Sequence, residues 1–212
     1  MTHIPSGEDK ISKTSSVALD FLQKTLSKSE EYTFLDIGCG NGRDIAYLSS
    51  HLDNLIMYGI DISRKAVENA IQLNSNKTNV TFECKNWIDL DETQYDIIYI
   101  SGVYHFFKLT EREAFIYKIK RILKPHGLFI LCTLSSNDKQ YYGKGIPVKN
   151  DPNSFQSEFF LHFSSEEELR EDFEFLNVID LFEYFHKNYA KDTEYHTMWM
   201  LMGENKIEGQ PI

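Results

Sequence analysis

Leu35-Asp36-Ile37-Gly38-Cys39-Gly40-Asn41-Gly42-Arg43-Asp44 is the stretch on which the reading of this chain turns. It joins a short apolar run, Tyr32–Ile37, to a helical pattern from Arg43 to His51, with Ile45, Leu48 and Leu52 at helical spacing. Glycines at such a turn permit positive φ and let a ligand approach the backbone, while the helix start offers unpaired N–H groups to an anion. Gly38, Gly40 and Gly42 give the spacing GxGxG. Position 43, where the dinucleotide-binding fingerprint requires its last glycine, carries a bulky arginine.

Outward from this turn the chain alternates short apolar runs with helical patterns. Leu55–Ile60 reads as a second strand, and at its end Asp61 offers a carboxylate that can accept from both hydroxyls of a ribose. Ser63 caps a helix on which Ala66, Ala70 and Leu73 share a face that Val67 and Ile71 widen. Val80–Glu83 is a short third strand. Tyr95–Ser101 is a fourth, whose near-continuous apolarity suits a strand covered on both faces. Thr110 and Glu113 predict a capping box for a helix carrying Phe115, Ile119 and Ile122, and His126-Gly127 turns the chain into a fifth strand, Leu128–Thr133. This rhythm demands a parallel sheet with helices on both faces and right-handed crossovers.

The end of the chain changes character. Ser165 and Glu168 predict a second capping box. Two aromatic-rich strands follow, Glu174–Tyr184 and Glu194–Met202, joined through Lys187–Asp192. With no helix between them they pair antiparallel. The expected fold is therefore α/β and Rossmann-like: seven strands, mostly parallel, ending in an antiparallel hairpin, in one domain over residues 1–212. Within residues 1–30, Ile11–Ser27 is expected to form a helix beside the ligand-binding end of the sheet.

Composition excludes several classes. The 212 residues carry 22 Lys and Arg against 32 Asp and Glu, and a net charge of −10 repels phosphate backbones, so no nucleic-acid partner is expected. Cys39, Cys84 and Cys132 show no metal-ligand spacing and read as reduced, buried, small hydrophobes; no metal is expected. MTHIPSGEDK has no apolar stretch and no run approaches a membrane span, so the expected location is the cytoplasm. Aromatic residues are 14% of the chain, and their placement matters more than their number.

Five motifs in order over residues 30–135 make the chain resemble the class I S-adenosylmethionine (SAM)-dependent methyltransferases. LDIGCGNGRD matches the family's first motif, YGIDIS its ribose-binding strand end, and KNWIDL its adenine-contact segment. YDIIYISGVYHFF matches its fourth motif, and RILKPHGLFIL the helix-turn-strand before the fifth. The resemblance implies SAM as cofactor and S-adenosylhomocysteine as product. It assigns Asp36 to the cofactor's amino group, the turn at Gly38, Cys39 and Gly40 to its methionine part, and Asp61 to its ribose. Ile62 flanks the adenine, Asn86 stands where an aspartate usually binds the adenine amine, Trp87 serves the ring, and Ser101 lies beneath the sulfonium. Gly42 either joins that turn or allows close helix packing. GCGNGRD with FxLHFSSEEELREDFEFL is loosely similar to the tellurite-resistance and thiopurine-type small-molecule methyltransferases.

Methyl transfer is an in-line displacement that needs alignment and a desolvated site, and a base only where the acceptor arrives protonated. Ser101-Gly102-Val103-Tyr104-His105 lacks the Pro-Pro-aromatic box for planar nitrogens, and no cysteine ends the fourth strand to attack a pyrimidine. A small-molecule acceptor remains. A protein or tRNA methyltransferase and a non-catalytic SAM-binding module are the competing readings. Residues 137–163, rich in glycine and aromatics, are expected to form a substrate lid. Within it Tyr141, Tyr142 and Lys144 are candidates for the acceptor site, and His105 for a base. His162 and His196 face the pocket or serve structure. Arg43 binds an anion or pairs with an acid such as Asp44.

Overall fold

The computed structural model describes residues 12–187 and 195–206. The segment Thr2–Lys10 and most of the polar connection Lys187–Asp192 fall outside them. Helix α1 (Lys13–Thr25) starts at Ser12, whose hydroxyl accepts the Ser15 N–H, and buries Ala18, Leu19 and Leu22. Strand β1 (Tyr32–Ile37), helix α2 (Arg43–Leu48), strand β2 (Leu55–Asp61), helix α3 (Arg64–Leu73) and strand β3 (Val80–Cys84) follow. A single-turn helix, Trp87–Asp89, leads to strand β4 (Tyr95–Ser101). A second, Tyr104–Phe106, leads to helix α4 (Leu109–Ile122) and strand β5 (Leu123–Leu134).

Two expectations shift here. Helix α4 begins at Leu109, not after Thr110, because Glu111 Oε2 accepts the Lys108 N–H at 2.8 Å and closes the helix start two residues early. Strand β5 begins at Leu123 rather than Leu128. Pairing with β4 starts at Tyr95↔Leu123 and shifts register before Ile97↔Leu128, so Pro125-His126-Gly127 forms an irregularity within the strand. Cys84 also differs: it is exposed, whereas Cys39 and Cys132 are buried thiols.

Residues 137–163, read from sequence as a loop, hold a small antiparallel sheet of β6 (Ile146–Pro147), β7 (Ser154–Gln156) and β8 (Phe160–His162). Strands of two or three residues are too short to show a period of two. A parallel bridge from Ser135 to Ser164 closes the insert's base. Helix α5 (Glu166–Asp172) follows with Ser165 as its cap, then strands β9 (Leu176–Lys187) and β10 (Tyr195–Asn205).

The main sheet runs β3-β2-β1-β4-β5-β10-β9. All neighbours from β3 to β5 are parallel, and β10 runs antiparallel to both β5 and β9. One core cluster joins α1, α2 and one sheet face through Leu22, Phe34, Ile45, Ile97 and Met200. Another joins α4, α5 and the opposite face through Phe115, Ile119, Phe129, Phe173 and Leu201. Strand order reverses between β1 and β4, so the crevice beyond their carboxyl ends is where such a sheet binds ligands.

Candidate active site

A cleft of about 420 Å³ occupies that crevice. Gly38, Cys39, Gly40 and Asn41 form one wall, Asp44 and Tyr47 of α2 another, and Ser101 closes the end of β4. Ser12 and Ser15 reach in from α1 and His186 from β9. The glycine-rich turn has the positive φ its sequence requires, at Gly38 (78°), Gly40 (53°) and Gly42 (73°). A Cβ on Gly38 would stand 2.3 Å from Val103 Cγ2, whereas one on Gly40 would meet nothing within 4 Å. The backbone at Gly40 therefore faces open space. Gly42 is different: a Cβ there would press on Ala70, Asn74 and Phe82 at 2.9 Å, which is the close packing of α2 against α3.

Asp44 and Arg43 line the cleft, and the carboxylates of Asp36 and Asp61 stand close to the glycine-rich turn. Asp36, 2% exposed, lies on β1 beneath the turn, and among the described residues no hydrogen bond or cation meets it. Burial pushes its carboxyl well above the ordinary carboxylate range, and the nearby Asp44 and Asp61 push it further. Asp44 is held by Tyr99 Oη at 2.8 Å and Ser12 Oγ at 2.9 Å. No ion pair joins it to Arg43, which is exposed. Asp61 accepts the Gly40 N–H through Oδ2 at 2.9 Å and the Ser63 N–H through Oδ1 at 2.8 Å, tying the turn to the start of α3.

The remaining candidates divide between this cleft and its surroundings. Ile62 is exposed, and Asn86 caps the Trp87–Asp89 turn by accepting the Ile88 N–H. Trp87 packs its ring on Phe107 and Phe115 at 5.5 and 5.3 Å. Together with Asp61 they form a shelf at the carboxyl ends of β2 and β3. His105 is buried against Phe106, and burial, with His196 and His162 nearby, pushes its imidazole down to about 3, neutral and weakly basic at pH 7. Tyr141 stacks on His196 with centroids 4.9 Å apart, and Lys144 Nζ lies 5.3 Å over the same phenol ring. Tyr142 turns outward, its hydroxyl donating to Asn153 Oδ1. Ser12, Ser15, Tyr47, Tyr99 and His186 escaped the sequence reading. Nothing local marks Ser12 or Tyr99, which reach Asp44 only once the chain has folded.

The arrangement fits the cofactor that the motifs imply. It offers a buried carboxylate without a counter-ion among the described residues, an open space over Gly40, and a crevice of the right placement for a molecule carrying an ammonium and a sulfonium. When bound, SAM supplies a methyl group activated on that sulfonium. Among the described residues no cluster of three or more His, Cys, Asp or Glu could hold a metal, and no helix is long and apolar enough to cross a membrane.

Known proteins agree with the geometry. A family model described as a methyltransferase domain matches residues 28–198. The cyclopropane-fatty-acyl-phospholipid synthase of Escherichia coli K12 is 27% identical over 128 residues, 60% of this chain and 33% of that protein. The chain thus spans about a third of the length of that curated relative. A SAM-dependent methyltransferase from Methanosarcina mazei superposes with a TM-score of 0.75 at 20% identity, covering 89% of this chain and 98% of its own. The 1,6-didemethyltoxoflavin-N1-methyltransferase of Burkholderia thailandensis, solved with 1,6-didemethyltoxoflavin and S-adenosylhomocysteine bound, gives 0.68 at 17%, covering 92% and 80%. Both structural likenesses are likenesses of fold. The family model spans most of the chain, which belongs to the methyltransferase-domain family of class I SAM-dependent methyltransferases and takes SAM as its cofactor.

Proposed function

We propose that the protein transfers the methyl group of SAM to a small molecule by in-line displacement, with the acceptor entering between the 137–163 insert and the ends of β4 and β10. The observation that carries this reading is the cleft at the strand-order reversal, with Ser101 at the end of β4 and, beneath it, the Asp36 carboxylate, unpaired among the described residues. In this reading Asp36 takes the cofactor's ammonium, the turn from Gly38 to Gly40 its methionine backbone, and Asp61 its ribose. Ile62, Asn86 and Trp87 take the adenine. A negative wall suits the cationic cofactor and disfavours a polyanionic acceptor, in keeping with the net charge of −10.

The insert supplies an acceptor wall rather than a swinging flap. Arg112 on α4 and Asp151 in the insert form a buried ion pair at 2.7 Å, and His162 Nδ1 meets Ser154 Oγ at 2.9 Å. His162 Nε2 stands 3.0 Å from Glu168 Oε1, close but off the line of a hydrogen bond. A labelled-methyl assay on cell extract tests the reading directly. Label is expected in the small-molecule fraction. Label confined to protein, RNA or lipid would refute a small acceptor, and no labelling by protein that binds S-adenosylhomocysteine would refute transfer itself.

A further inference from the structure

We propose that His196, backed by Asp138, is the base that takes a proton from the acceptor, so that the acceptor is a protic nucleophile, a hydroxyl or an ammonium, rather than a thiolate that arrives already ionised. This rests on the methyl-transfer reading above and names the acceptor's chemical class within it.

The Asp138 carboxyl is fixed in place. It is 1% exposed at the root of the insert. Its Oδ1 accepts the N–H groups of Gln140 at 3.1 Å and Tyr141 at 2.7 Å, and its Oδ2 accepts the Thr197 N–H at 2.7 Å. That same Oδ2 stands 3.8 Å from His196 Nδ1, a nitrogen buried without a hydrogen bond. His105 and His162 also bury a nitrogen without a hydrogen bond, so at His196 it is the Asp138 carboxylate facing that nitrogen that counts. A base at rest commonly shows a long contact to its orienting carboxylate that tightens when substrate binds. The Tyr141 ring stacked on the imidazole at 4.9 Å holds its plane.

Position completes the case. His196 is directly opposite His186 in the β9–β10 pair, and His186 lines the cleft together with Gly38 and Ser101. Among the described residues, the ionisable groups around His196 are Asp138, Tyr141 and Lys144 from the insert, His186 from β9 and His105 from the turn after β4. His105 and His186 are made less basic, first by burial and then by the neighbouring His196 imidazole. The Asp44 carboxylate acts on His186 in the opposite sense, and the carboxylate beside His196 is Asp138. A carboxylate at Nδ1 keeps the proton there and leaves the Nε2 lone pair as the acceptor.

The step balances. The acceptor's O–H or N–H proton passes to His196 Nε2 while the freed electron pair on oxygen or nitrogen bonds to the methyl carbon. The carbon–sulfur pair stays with sulfur as a neutral thioether. The imidazolium positive charge is offset by Asp138 until solvent removes the proton.

Long-range 1H–15N correlation of the imidazoles tests this with or without turnover, His196 being assigned from the signals that vanish in His196→Gln. In the free protein and in its S-adenosylhomocysteine complex at pH 7, His196 is expected to be neutral with its proton on Nδ1. In Asp138→Asn the proton is expected to move to Nε2. A wild-type His196 carrying its proton on Nε2, or charged at pH 7, would overturn the proposal whatever the fate of the Asp138 variant. In labelled-methyl transfer to the small-molecule fraction, His196→Gln is expected to lose about a hundredfold or more in rate. Its S-adenosylhomocysteine affinity should stay within about twofold of wild type, and its rate should recover partly at alkaline pH as the acceptor ionises unaided. An unchanged rate would overturn the base. Failure of wild type to bind S-adenosylhomocysteine would instead count against the cofactor reading, and the tautomer of the free protein still decides the base.

Discussion

Replacing Asp36 by asparagine is expected to make the free protein more stable and to weaken its grip on the cofactor at the same time. The carboxyl is 2% exposed, has no cation or hydrogen bond among the described residues, and is raised first by burial and then by Asp44 and Asp61. A carboxyl raised in the folded state binds its proton more tightly there than in the unfolded chain. Wild-type stability therefore declines as pH rises from the ordinary carboxylate range to the raised folded value, and is level above it. The neutral, isosteric amide has no such dependence. Its advantage is absent in acid, grows through that window, and at neutral pH is on the order of 1 kcal/mol, a rise of roughly 2–4 °C in Tm. Binding runs the other way. An ammonium beside Asp36 favours the ionised form, so cofactor binding releases a proton and tightens with rising pH. Loss of one charged hydrogen bond, about 1.5–3 kcal/mol, weakens S-adenosylhomocysteine by roughly 10- to 150-fold. Thermal melts with calorimetry in two buffers of different ionisation heat read both effects. A variant that is less stable and binds as wild type would show that Asp36 is a structural residue.

The largest loss of stability is expected at Arg112, whose partner in the insert, Asp151, lies 39 positions along the chain. Its guanidinium is 2% exposed and reaches Asp151 with both terminal nitrogens, at 2.7 and 3.3 Å, while Nη1 also donates to the Phe107 carbonyl at 3.0 Å. Burial alone would raise the Asp151 carboxyl, but the Arg112 hydrogen bonds and charge outweigh it and hold it low. Arg112→Leu strands a buried carboxylate, at a cost of about 3–5 kcal/mol, or roughly 6 °C or more in Tm. Adding Asp151→Leu is expected to recover part of the loss, because the stranded charge goes with it. A carboxyl held low stabilises the fold above the ordinary carboxylate range, and that contribution disappears as pH falls through the folded value. The gap between wild type and Arg112→Leu should therefore narrow in acid. Cofactor affinity is expected to survive, since Arg112 lines no part of the cleft. A Tm unchanged by the substitution would show that the insert is held by its aromatic contacts alone.

What the sequence reveals and what it withholds divide along physical lines. The GxGxG turn, Asp61 and the strands β1, β2 and β4 are readable because glycine, capping and apolar patterning act within a few residues. The closing hairpin is readable because two aromatic strands follow without a helix. The start of α4 is hidden because Thr110 resembles a cap, while the helix start is closed by Glu111 Oε2 accepting the Lys108 N–H. The insert hid its strands by their shortness. Asp44 was legible only as a possible partner of Arg43, and its bonds to Tyr99 and Ser12 span 55 and 32 positions. His196 is one of several histidines in the sequence, and only the fold brings Asp138 beside it. Long-range pairing of polar groups leaves no periodic trace, and that is where the candidate site was least readable.

The most direct measurement is calorimetric titration of S-adenosylhomocysteine into wild type and Asp61→Ala. Asp61 joins Gly40 to the start of α3 and stands where the ribose belongs, so its loss should abolish the signal while circular dichroism shows the fold intact. Wild type is expected to bind with a micromolar dissociation constant and the variant to give no measurable heat. A flat titration of well-folded wild-type protein, or equal binding by the two, would contradict a SAM site in this cleft.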